Sequence, residues 1–186
     1  MVYAPPKRKF NVDDYYRMAD AGIFHEDDRV ELLDGEIYEM TPIGDGHAGT
    51  VNWLSSVFTR RLGDRAVVSP QNPVRLSDYS EPQPDVAVLR RREDFYRSGK
   101  PRPGDVFLIV EVAKSSLDYD RLTKLPRYAD AGILEVWIVN LADDQLEVYR
   151  KPGEGGYGER VILVRGDSIA PEALPDLVLS VDEILG

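Results

Sequence analysis

The stretch DVFLIVEVAK, residues 105–114, is the most hydrophobic part of the chain and decides the fold. A strand that is buried on both faces of a sheet reads as a continuous run of Val, Ile and Leu, so residues 106–112 are predicted to form such a strand. Glu111 interrupts the run, and a buried carboxylate is costly unless it is paired, hydrogen-bonded or bound to a metal. Asp85 opens a second apolar run, PQPDVAVL, at residues 82–89. Two carboxylates offered by two such strands predict a divalent-metal site.

Simpler interpretations of the acidic residues stay open on the sequence alone. Asp85 follows Pro84, and a turn residue after proline is common. Glu31 lies in RVELLDGEI, where an outward-facing position of an alternating strand explains it equally well. For Glu111 the flanking valines favour a functional role, because a carboxylate in that setting needs a partner.

Length and composition indicate a folded soluble protein. The chain has 186 residues, of which 42% are hydrophobic and 30% charged, and a chain of this size can bury a substantial core. We expect residues 1–10 to form a flexible leader and residues 11–186 a single domain. The sequence has no cysteine, which excludes disulfides and thiolate-ligated metal centres. Since it also lacks a signal peptide and an apolar run of about 20 residues, we expect a cytoplasmic protein without a membrane partner.

The net negative charge of the chain weighs against general binding of nucleic acid to its surface. The net charge is −10, from 23 Lys and Arg against 33 Asp and Glu, whereas phosphate binding depends mainly on cations. A local basic strip can nevertheless act against an acidic total. The candidate strip consists of Arg90, Arg91 and Arg92, with Arg97, Lys100 and Arg102. These side chains are candidates for phosphate contacts, although a solvated loop explains them as well.

The spacing of apolar residues predicts a mixed sheet with helices. Helices are predicted at 11–22, 47–62 and 119–131, and strands at 66–69, 74–76, 85–89, 106–112, 134–140, 145–150 and 161–164. Pro126 weakens the third helix, because proline removes a helix hydrogen bond. Asp34-Gly35 predicts a hairpin turn, the Gly-rich residues 151–160 predict a loop, and the tail predicts a short strand and a helical turn. Hairpins combined with one strand–helix–strand crossover are typical of an α/β fold, α+β in character, with a mixed sheet.

Two lysines follow Glu111 and are candidates for the same site. Lys124 lies four residues after Asp120 on a predicted helix, where a surface ion pair is the simpler interpretation. Lys114 reads equally well as a solvated residue at a strand end. A lysine near two carboxylates would instead balance charge and orient a water molecule. The corresponding chemistry is metal-assisted phosphodiester hydrolysis, and oxygen ligands favour Mg²⁺, or Mn²⁺, over zinc.

The sequence has two histidines, and neither has the spacing of metal ligands. A structural or surface role is the simpler interpretation of both His25 and His47. His47 is the better candidate for a functional role, because GDGHAG places it at the start of a predicted helix.

The ordered motifs ELLDGEIYEM, GDGHAG, PQPDVAVL, FLIVEVAKSS, DRLTKLPRYADAG and LEVWIVN resemble those of the PD-(D/E)XK nuclease superfamily. The similarity is greatest to the Uma family of restriction-endonuclease-like proteins and covers residues 11–150. The resemblance implies a restriction-endonuclease-like core in which a central sheet is flanked by helices. It further implies that Asp85 and Glu111 bind the metal, together with the Val112 carbonyl. Glu31 would assist through water or a second metal.

The chain departs from the superfamily pattern at the lysine. The pattern places a lysine two residues after Glu111, where this chain has Ala113. Lys114 comes one residue later and, on a regular strand, would point to the opposite face. Lys124 matches the lysine that Uma-like sequences carry on the following helix. The resemblance therefore implies Lys124 as the catalytic lysine, with Asp120 holding it.

The sequence therefore predicts a Mg²⁺-dependent endonuclease that acts on DNA. Its catalytic residues are expected to be Glu31, Asp85, Glu111 and Lys124, with His47, Asp120 and Lys114 in auxiliary roles. We also expect a homodimer, because an enzyme that cuts both strands gains from two-fold symmetry. Two alternatives remain. One is a binding or regulatory module that keeps the fold without efficient chemistry, and the other is a hydrolase of a small phosphorylated substrate.

Overall fold

A six-stranded mixed sheet with helices on both faces forms the centre of the molecule. The computed structural model describes residues 6–25, 27–40, 42 and 44–186. In chain order the elements are α1 (Val12–Asp20), β1 (Val30–Leu33), β2 (Glu36–Glu39), α2 (Asp45–Leu62), β3 (Ala66–Pro70), β4 (Val86–Arg90), β5 (Val106–Ala113), α3 (Leu117–Tyr119), α4 (Leu125–Asp130), β6 (Glu135–Asn140), β7 (Gln145–Gly153), β8 (Gly156–Val164), β9 (Ser168–Ile169), β10 (Leu179–Ser180) and α5 (Val181–Leu185). A π-helical turn, Asp120–Lys124, joins α3 to α4.

The central strands are the apolar runs that the sequence shows. The strand order is β3-β4-β5-β6-β7-β8. β5 and β6 run parallel, because the helical segment 117–130 carries the chain back across the sheet between them. The other neighbouring pairs are antiparallel. Every residue of β5 and β6 is buried except the half-buried Phe107. The predicted α/β class with a mixed sheet flanked by helices is confirmed.

Each face of the sheet packs against its own helices. α2 and α5 cover one face, where Phe58 and Ile184 belong to the same buried cluster as Val110 and Trp137. On the opposite face, α4 contributes Leu125 and Tyr128 to a cluster with apolar residues of β4, β5, β6 and β7. The side chain of Glu111 belongs to this second face, because it alternates with Val110 and Val112 along β5.

The helix predicted at 47–62 is confirmed, with its start two residues earlier at Asp45. Its predicted apolar stripe is buried, and consists of Val51, Leu54, Val57, Phe58 and Leu62. The helix predicted at 11–22 is confirmed as α1. Asn11 caps it by accepting a hydrogen bond from the N–H of Asp14 at 2.8 Å, as its position before the first helical residue predicts.

The predicted hairpin at Asp34-Gly35 joins β1 to β2. Both turn residues have positive φ, +50° and +77°, which the favoured two-residue hairpin turn requires. The alternation predicted for β1 is not reflected in its burial, because all four of its residues are buried. Leu32 forms a β-bridge with Glu81 of the segment that leads to β4. β1 therefore has a neighbouring segment along each of its edges, with β2 on the other one.

Two predicted segments differ from the structure. Residues 74–76 are not a strand, because Val74 and Leu76 donate to Pro82 and Ser80 within their own loop. The predicted loop 151–160 instead forms the ends of β7 and β8, which pair as far as Gly153 and Gly156. The glycines permit a tight turn there, so the sheet continues where composition indicated a loop.

The third predicted helix is present but not regular. Pro126 lies in the first turn of α4, where a missing N–H costs least, and the π-helical turn precedes it. At the chain end, β10 pairs with β9 and is followed by α5, as predicted. Residues 1–5 of the predicted leader lie outside the described residues, and residues 6–10 form neither helix nor strand. Within the part of the chain that is described, no helix has the length and apolar character needed to cross a membrane.

Candidate active site

Asp85 and Glu111 lie side by side where β4 begins. Val86 pairs with Val110 in the antiparallel register, which brings the two acidic residues next to each other. The N–H of Asp85 donates to Glu111 Oε2 at 3.3 Å, and Asp85 Oδ2 accepts from the N–H of Val112 at 2.9 Å. Two neighbouring strands thus bring the two carboxylates to one place.

The Glu111 carboxylate is held by donors from the helical segment. The residue is 2% exposed, and its Oε1 accepts from Lys124 Nζ at 3.1 Å and from Tyr128 Oη at 2.6 Å. Burial raises the pKa of Glu111 to about 8; the Lys124 charge opposes this rise, whereas the charges of Asp120 and Asp85 add to it. The negative charges of Asp85, Glu111 and Asp120 therefore lie close enough to act on one another.

Lys124 reaches the carboxylates from the helical segment that packs on this face of the sheet. Its Nζ lies 3.1 Å from Glu111 Oε1 and 3.6 Å from Glu31 Oε2, and it donates to the carbonyl of Gln83 at 3.3 Å. Burial by itself would lower the pKa of Lys124, but the neighbouring carboxylates, Glu111 foremost, raise it well above its ordinary value. The ammonium group is therefore charged. Lys114, in contrast, is exposed just beyond the end of β5.

Glu31 completes the group from the β1–β2 hairpin. It is fully buried, so the outward-facing alternative is excluded. Its Oε1 accepts from Tyr119 Oη at 2.7 Å, and its Oε2 accepts from the N–H of Gln83 at 2.9 Å. The carboxylate thus lies between the hairpin, the segment before β4 and the helical segment. Glu31, Asp85, Glu111 and Lys124 come from four separate parts of the chain.

The π-helical turn directs polar residues of the helical segment towards the sheet. In a regular α-helix, residues eight positions apart differ by about 80° around the axis, so Asp120 and Tyr128 would diverge. The turn is closed by a bond from the N–H of Leu125 to the carbonyl of Asp120 and adds one residue to the helix turn. Asp120, Lys124 and Tyr128 are all buried as a result.

Asp120 does not hold Lys124 by a hydrogen bond, contrary to our expectation. Its carboxylate accepts instead from Ser116 Oγ at 2.9 Å. Burial raises the pKa of Asp120 to about 6; Lys124 acts against the rise, whereas Asp85 and Glu31 add to it. Asp120 therefore influences Lys124 through its charge.

His47 contacts the site from the first turn of α2. Its Nε2 lies 3.0 Å from Asp85 Oδ2, so the purely surface interpretation of this histidine is excluded. Its Nδ1 is buried and has no hydrogen-bond partner among the described residues. Burial would raise the pKa of Asp85, but the bond with His47, the Lys124 charge and the N–H of Val112 lower it overall. Asp85 is therefore ionised. His25 is exposed and lies elsewhere.

A cavity of about 430 Å³ lies over these groups. Its buried lining consists of Glu31, Asp85, Glu111, Asp120 and Lys124, and its more exposed lining includes Arg29, Glu39, Asp45, His47, Lys114 and Tyr119. The volume falls in the usual range for small-ligand sites. Six carboxylates face three basic side chains there, so the cavity favours a cation.

The residues fit a hard divalent cation. Carboxylate oxygens are the preferred ligands of Mg²⁺ and Mn²⁺, and a cation would oppose the burial and the like-charge repulsion that raise the pKa of Glu111. Across the described residues, no group of three or more Asp, Glu or His side chains is already spaced to enclose a metal ion. Mg²⁺ commonly takes one or two carboxylates and completes its shell with water and phosphate oxygens. Asp85 and Glu111 meet that requirement.

The other predicted residues lie apart from the cavity. Arg90 is the last residue of β4, and Arg91 and Arg92 follow it, at the end of the strand opposite Asp85. The sequence did not single out Tyr119, Tyr128 or Gln83, although each bonds to an acidic residue or to Lys124. Tyr128 carries a usable signal, because it lies four residues after Lys124 on the same helix face.

Together the fold and the site define a nuclease-like α/β protein. The structure is similar to the crystal structure of "a putative nuclease belonging to DUF820" from Anabaena variabilis ATCC 29413, with a TM-score of 0.71 and 15% sequence identity over 95% of this chain and 97% of that chain. The chain belongs to the Uma2 family, described as "Putative restriction endonuclease", whose model matches residues 12–182. The resemblance found in the sequence is therefore confirmed. No curated protein shows significant similarity to the chain.

Proposed function

We propose that this protein is a metal-dependent endonuclease that hydrolyses the phosphodiester bonds of DNA. The observation that carries this proposal is the buried ammonium of Lys124, which donates to Glu111, forms an ion pair with Glu31 and lines the same cavity as Asp85. Membership of the Uma2 family supports the reaction class. Mg²⁺ as the cofactor and DNA as the substrate are the specific parts of the proposal.

Each residue of the site has a defined task in this proposal. Asp85 and Glu111, with the carbonyl of Val112, hold Mg²⁺ or Mn²⁺. Such an ion supplies a polarised phosphate oxygen and a water of lowered pKa. Lys124 keeps a positive charge beside the attacking water and stabilises the negative charge that develops on the phosphate. Glu31 fixes the position of Lys124 and assists through water or a second cation.

Three neighbouring residues act as auxiliaries. His47 orients the Asp85 carboxylate through the contact at Oδ2. Asp120 adds negative charge that keeps Lys124 protonated. Lys114 is exposed at the cavity, where its ammonium group contacts a phosphate next to the scissile one.

Plasmid nicking tests the chemistry directly. We expect the purified protein to nick supercoiled plasmid with Mg²⁺ or Mn²⁺ and not with EDTA. Asp85→Asn should reduce the rate by at least about 100-fold, because it removes the charge that holds the cation. Asp20→Asn, a matched change of an exposed aspartate at the end of α1, should leave the rate unchanged. Undiminished cleavage by Asp85→Asn would show that the site is misassigned.

One observation favours a non-catalytic module as a second candidate. Both oxygens of Glu31 and both of Glu111 already accept protein donors, so a cation has to compete with these bonds. Isothermal titration with MgCl₂ separates the candidates. We expect millimolar or tighter binding that disappears in Asp85→Asn. Absence of binding, together with intact nucleic-acid binding, would favour the module.

The small-substrate alternative is tested with the same preparation. Rapid hydrolysis of bis(p-nitrophenyl) phosphate by a protein that leaves plasmid intact would favour it over the endonuclease.

The proposal includes a homodimer, because two sites related by two-fold symmetry suit the cleavage of two antiparallel strands. Light scattering during size-exclusion chromatography should therefore give about twice the chain mass of 21.0 kDa. A monomer that cuts both strands would remove dimerisation from the proposal and leave the chemistry intact.

A further inference from the structure

Three consecutive arginines at the end of β4 each lie over an aromatic ring. The guanidinium carbons are 4.8, 4.2 and 4.5 Å from the ring centroids in the pairs Arg90–Phe107, Arg91–Phe95 and Arg92–Tyr96. These distances are typical of cation–π contacts. The stacking orients each planar guanidinium group. Arg90 also donates through Nε to the carbonyl of Gly104 at 2.9 Å, and Arg92 donates to Asp94 and Ser98, so their remaining N–H groups and those of Arg91 can contact a partner.

The turn that carries two of these rings has an unfavourable backbone conformation. Phe95 and Tyr96 have φ values of +50° and +63°, which bulky residues rarely adopt. Asp94 holds the turn by accepting from the N–H groups of Tyr96 at 3.2 Å and Ser98 at 3.1 Å, and from Arg92 at 2.8 Å. Phe95 is consequently 54% exposed, with Arg91 against its face. Backbone strain that the surroundings maintain in this way is often found at binding sites.

The same segment is basic in an acidic protein. Residues 90–105 contain six basic and three acidic residues, whereas the whole chain has 23 against 33. Arg92 is paired with Asp94. Within the described residues, none of the other five basic side chains has an ion-pair partner, namely Arg90, Arg91, Arg97, Lys100 and Arg102. A cluster of unneutralised cations interleaved with aromatic rings is suited to a phosphate backbone.

We propose that the segment 90–102, here called the arginine turn, binds the phosphate backbone of the nucleic acid whose scissile bond lies in the candidate active site. The inference rests on the proposed function and adds to it a second, distant contact. The arginine turn contributes positive charges that its aromatic rings hold in place, and it takes no part in the chemistry.

The position of the arginine turn sets a minimum length for the substrate. Asp85 directly precedes β4 and Arg90 is its last residue, and five residues of a strand span about 17 Å. One strand of duplex DNA carries a phosphate about every 3.4 Å, so about five base pairs separate the two contacts. A substrate that extends less far from the scissile bond cannot reach the arginine turn.

Salt-dependent binding of labelled nucleic acid tests the inference without any need for cleavage. Fluorescence anisotropy in EDTA would compare the unaltered protein with Arg91→Ala/Lys100→Ala, using a 24-base-pair DNA duplex between 50 and 200 mM NaCl. Loss of two phosphate contacts should lower the slope of log affinity against log salt by about 2. The ratio of the DNA affinity of the unaltered protein to that of the double variant should therefore fall about tenfold over this salt range.

Three controls make the expected result specific. Arg60→Ala removes an exposed arginine that lies 5.7 Å from the Trp53 ring on α2, and it should leave the slope unchanged. Arg91→Lys retains a charge and should restore about one unit of slope relative to Arg91→Ala. Duplex RNA should show the same loss as DNA, because the contacts are to phosphate.

The outcomes separate this inference from the proposed function. An unchanged salt slope in the double variant, or an equal loss in Arg60→Ala, would overturn the arginine turn as a phosphate-binding surface. Tighter binding of polyglutamate than of DNA would overturn it in favour of an acidic protein partner. Failure of the unaltered protein to nick plasmid with Mg²⁺, combined with the expected loss of slope, would refute the endonuclease and leave the binding surface standing.

Discussion

At the residue scale, Lys124 governs the electrostatics of the site. Its ammonium group is almost fully buried between Glu111 and Glu31, and a buried charge is tolerated only when it is paired and hydrogen-bonded. The pairing works in both directions, because the same contacts keep the carboxylates from repelling each other. Stability and proposed chemistry therefore depend on one side chain.

Lys124→Met should destabilise the fold as well as abolish cleavage. Removing one partner of a buried ion pair costs about 3–5 kcal/mol, and we expect about 3 kcal/mol, the low end, because Glu111 can take up a proton. Urea unfolding at pH 7 measures the loss. Combining the change with Glu111→Gln should recover part of it. Equal stability of Lys124→Met and the unaltered protein would contradict the pairing described.

At the element scale, a second buried acid fixes the helical segment on the sheet. Glu147 on β7 is fully buried and accepts from Arg121 Nε at 3.0 Å, Asn140 at 3.1 Å and Tyr149 at 2.6 Å. Arg160 adds a further bond at 3.1 Å. Since Arg121 belongs to the π-helical turn, these bonds help to set the rotation of the segment and hence the position of Lys124.

Glu147 should make the fold sensitive to acid in a defined pH range. Burial acts to raise the pKa of Glu147, but the hydrogen bonds, that of Arg121 foremost, lower it from 4.5 to about 2. A depressed pKa adds stability that is complete above 4.5 and is lost as the pH falls towards 2. We expect a loss on the order of 2 kcal/mol, because the arginines are partly exposed to solvent and its screening.

Unfolding in urea between pH 5 and pH 2.5 checks this prediction. Glu147→Gln should be less stable at pH 5, and its free energy of unfolding should fall less steeply with acid than that of the unaltered protein. Glu154→Gln, a change of an exposed glutamate in the β7–β8 turn, is the control and should retain the steep fall. Parallel pH curves for all three proteins would show that Glu147 is not the responsible group.

The π-helical turn itself should be needed for activity but not for folding. Leu122 is 74% exposed, and its deletion would convert the turn to a regular α-helix. The preceding residues would then rotate by about 100°, which would move Tyr119 and Asp120 away from their partners. We expect a loss of cleavage on the order of 100-fold with a native circular dichroism spectrum. Leu122→Ala is the control, and normal activity of the deletion variant would refute the role of the turn.

At the scale of the whole molecule, the charge distribution is divided between two regions. The cavity concentrates acidic side chains, and the arginine turn concentrates unpaired basic ones. A protein with a net charge of −10 thus presents opposite fields at two places on its surface. The acidic cavity is expected to link stability to metal binding.

Mg²⁺ should therefore stabilise the folded protein. A ligand that binds only the folded state at ten times its Kd adds about 1.4 kcal/mol. The melting temperature should rise by a few degrees in 10 mM MgCl₂ relative to NaCl of equal ionic strength, if Kd is about 1 mM. Asp85→Asn should show no rise. An equal rise in both proteins would indicate a general salt effect on the acidic surface.

Some parts of this fold were readable from local patterns, and others were not. The strands β4, β5 and β6, the hairpin turn and α2 follow from apolar spacing and turn chemistry, which act over a few residues. Residues 151–160 were misassigned, because glycine content indicates a loop and strand pairing overrides it. The bond between Ser116 and Asp120, in place of one to Lys124, depends on the exact rotation of the helix, which a spacing of four residues does not define.

By itself, the sequence determined the mixed sheet and the two strands that carry Asp85 and Glu111, and its resemblance to the Uma family implied Lys124 as the lysine to expect. These features depend on hydrophobic periodicity and on short motifs, both of which are local. Only the tertiary structure decided that Glu31 is buried, that His47 contacts Asp85 and that Glu147 fixes the helical segment. These contacts join residues far apart in the chain, and their distances depend on how whole elements pack, which no local pattern encodes.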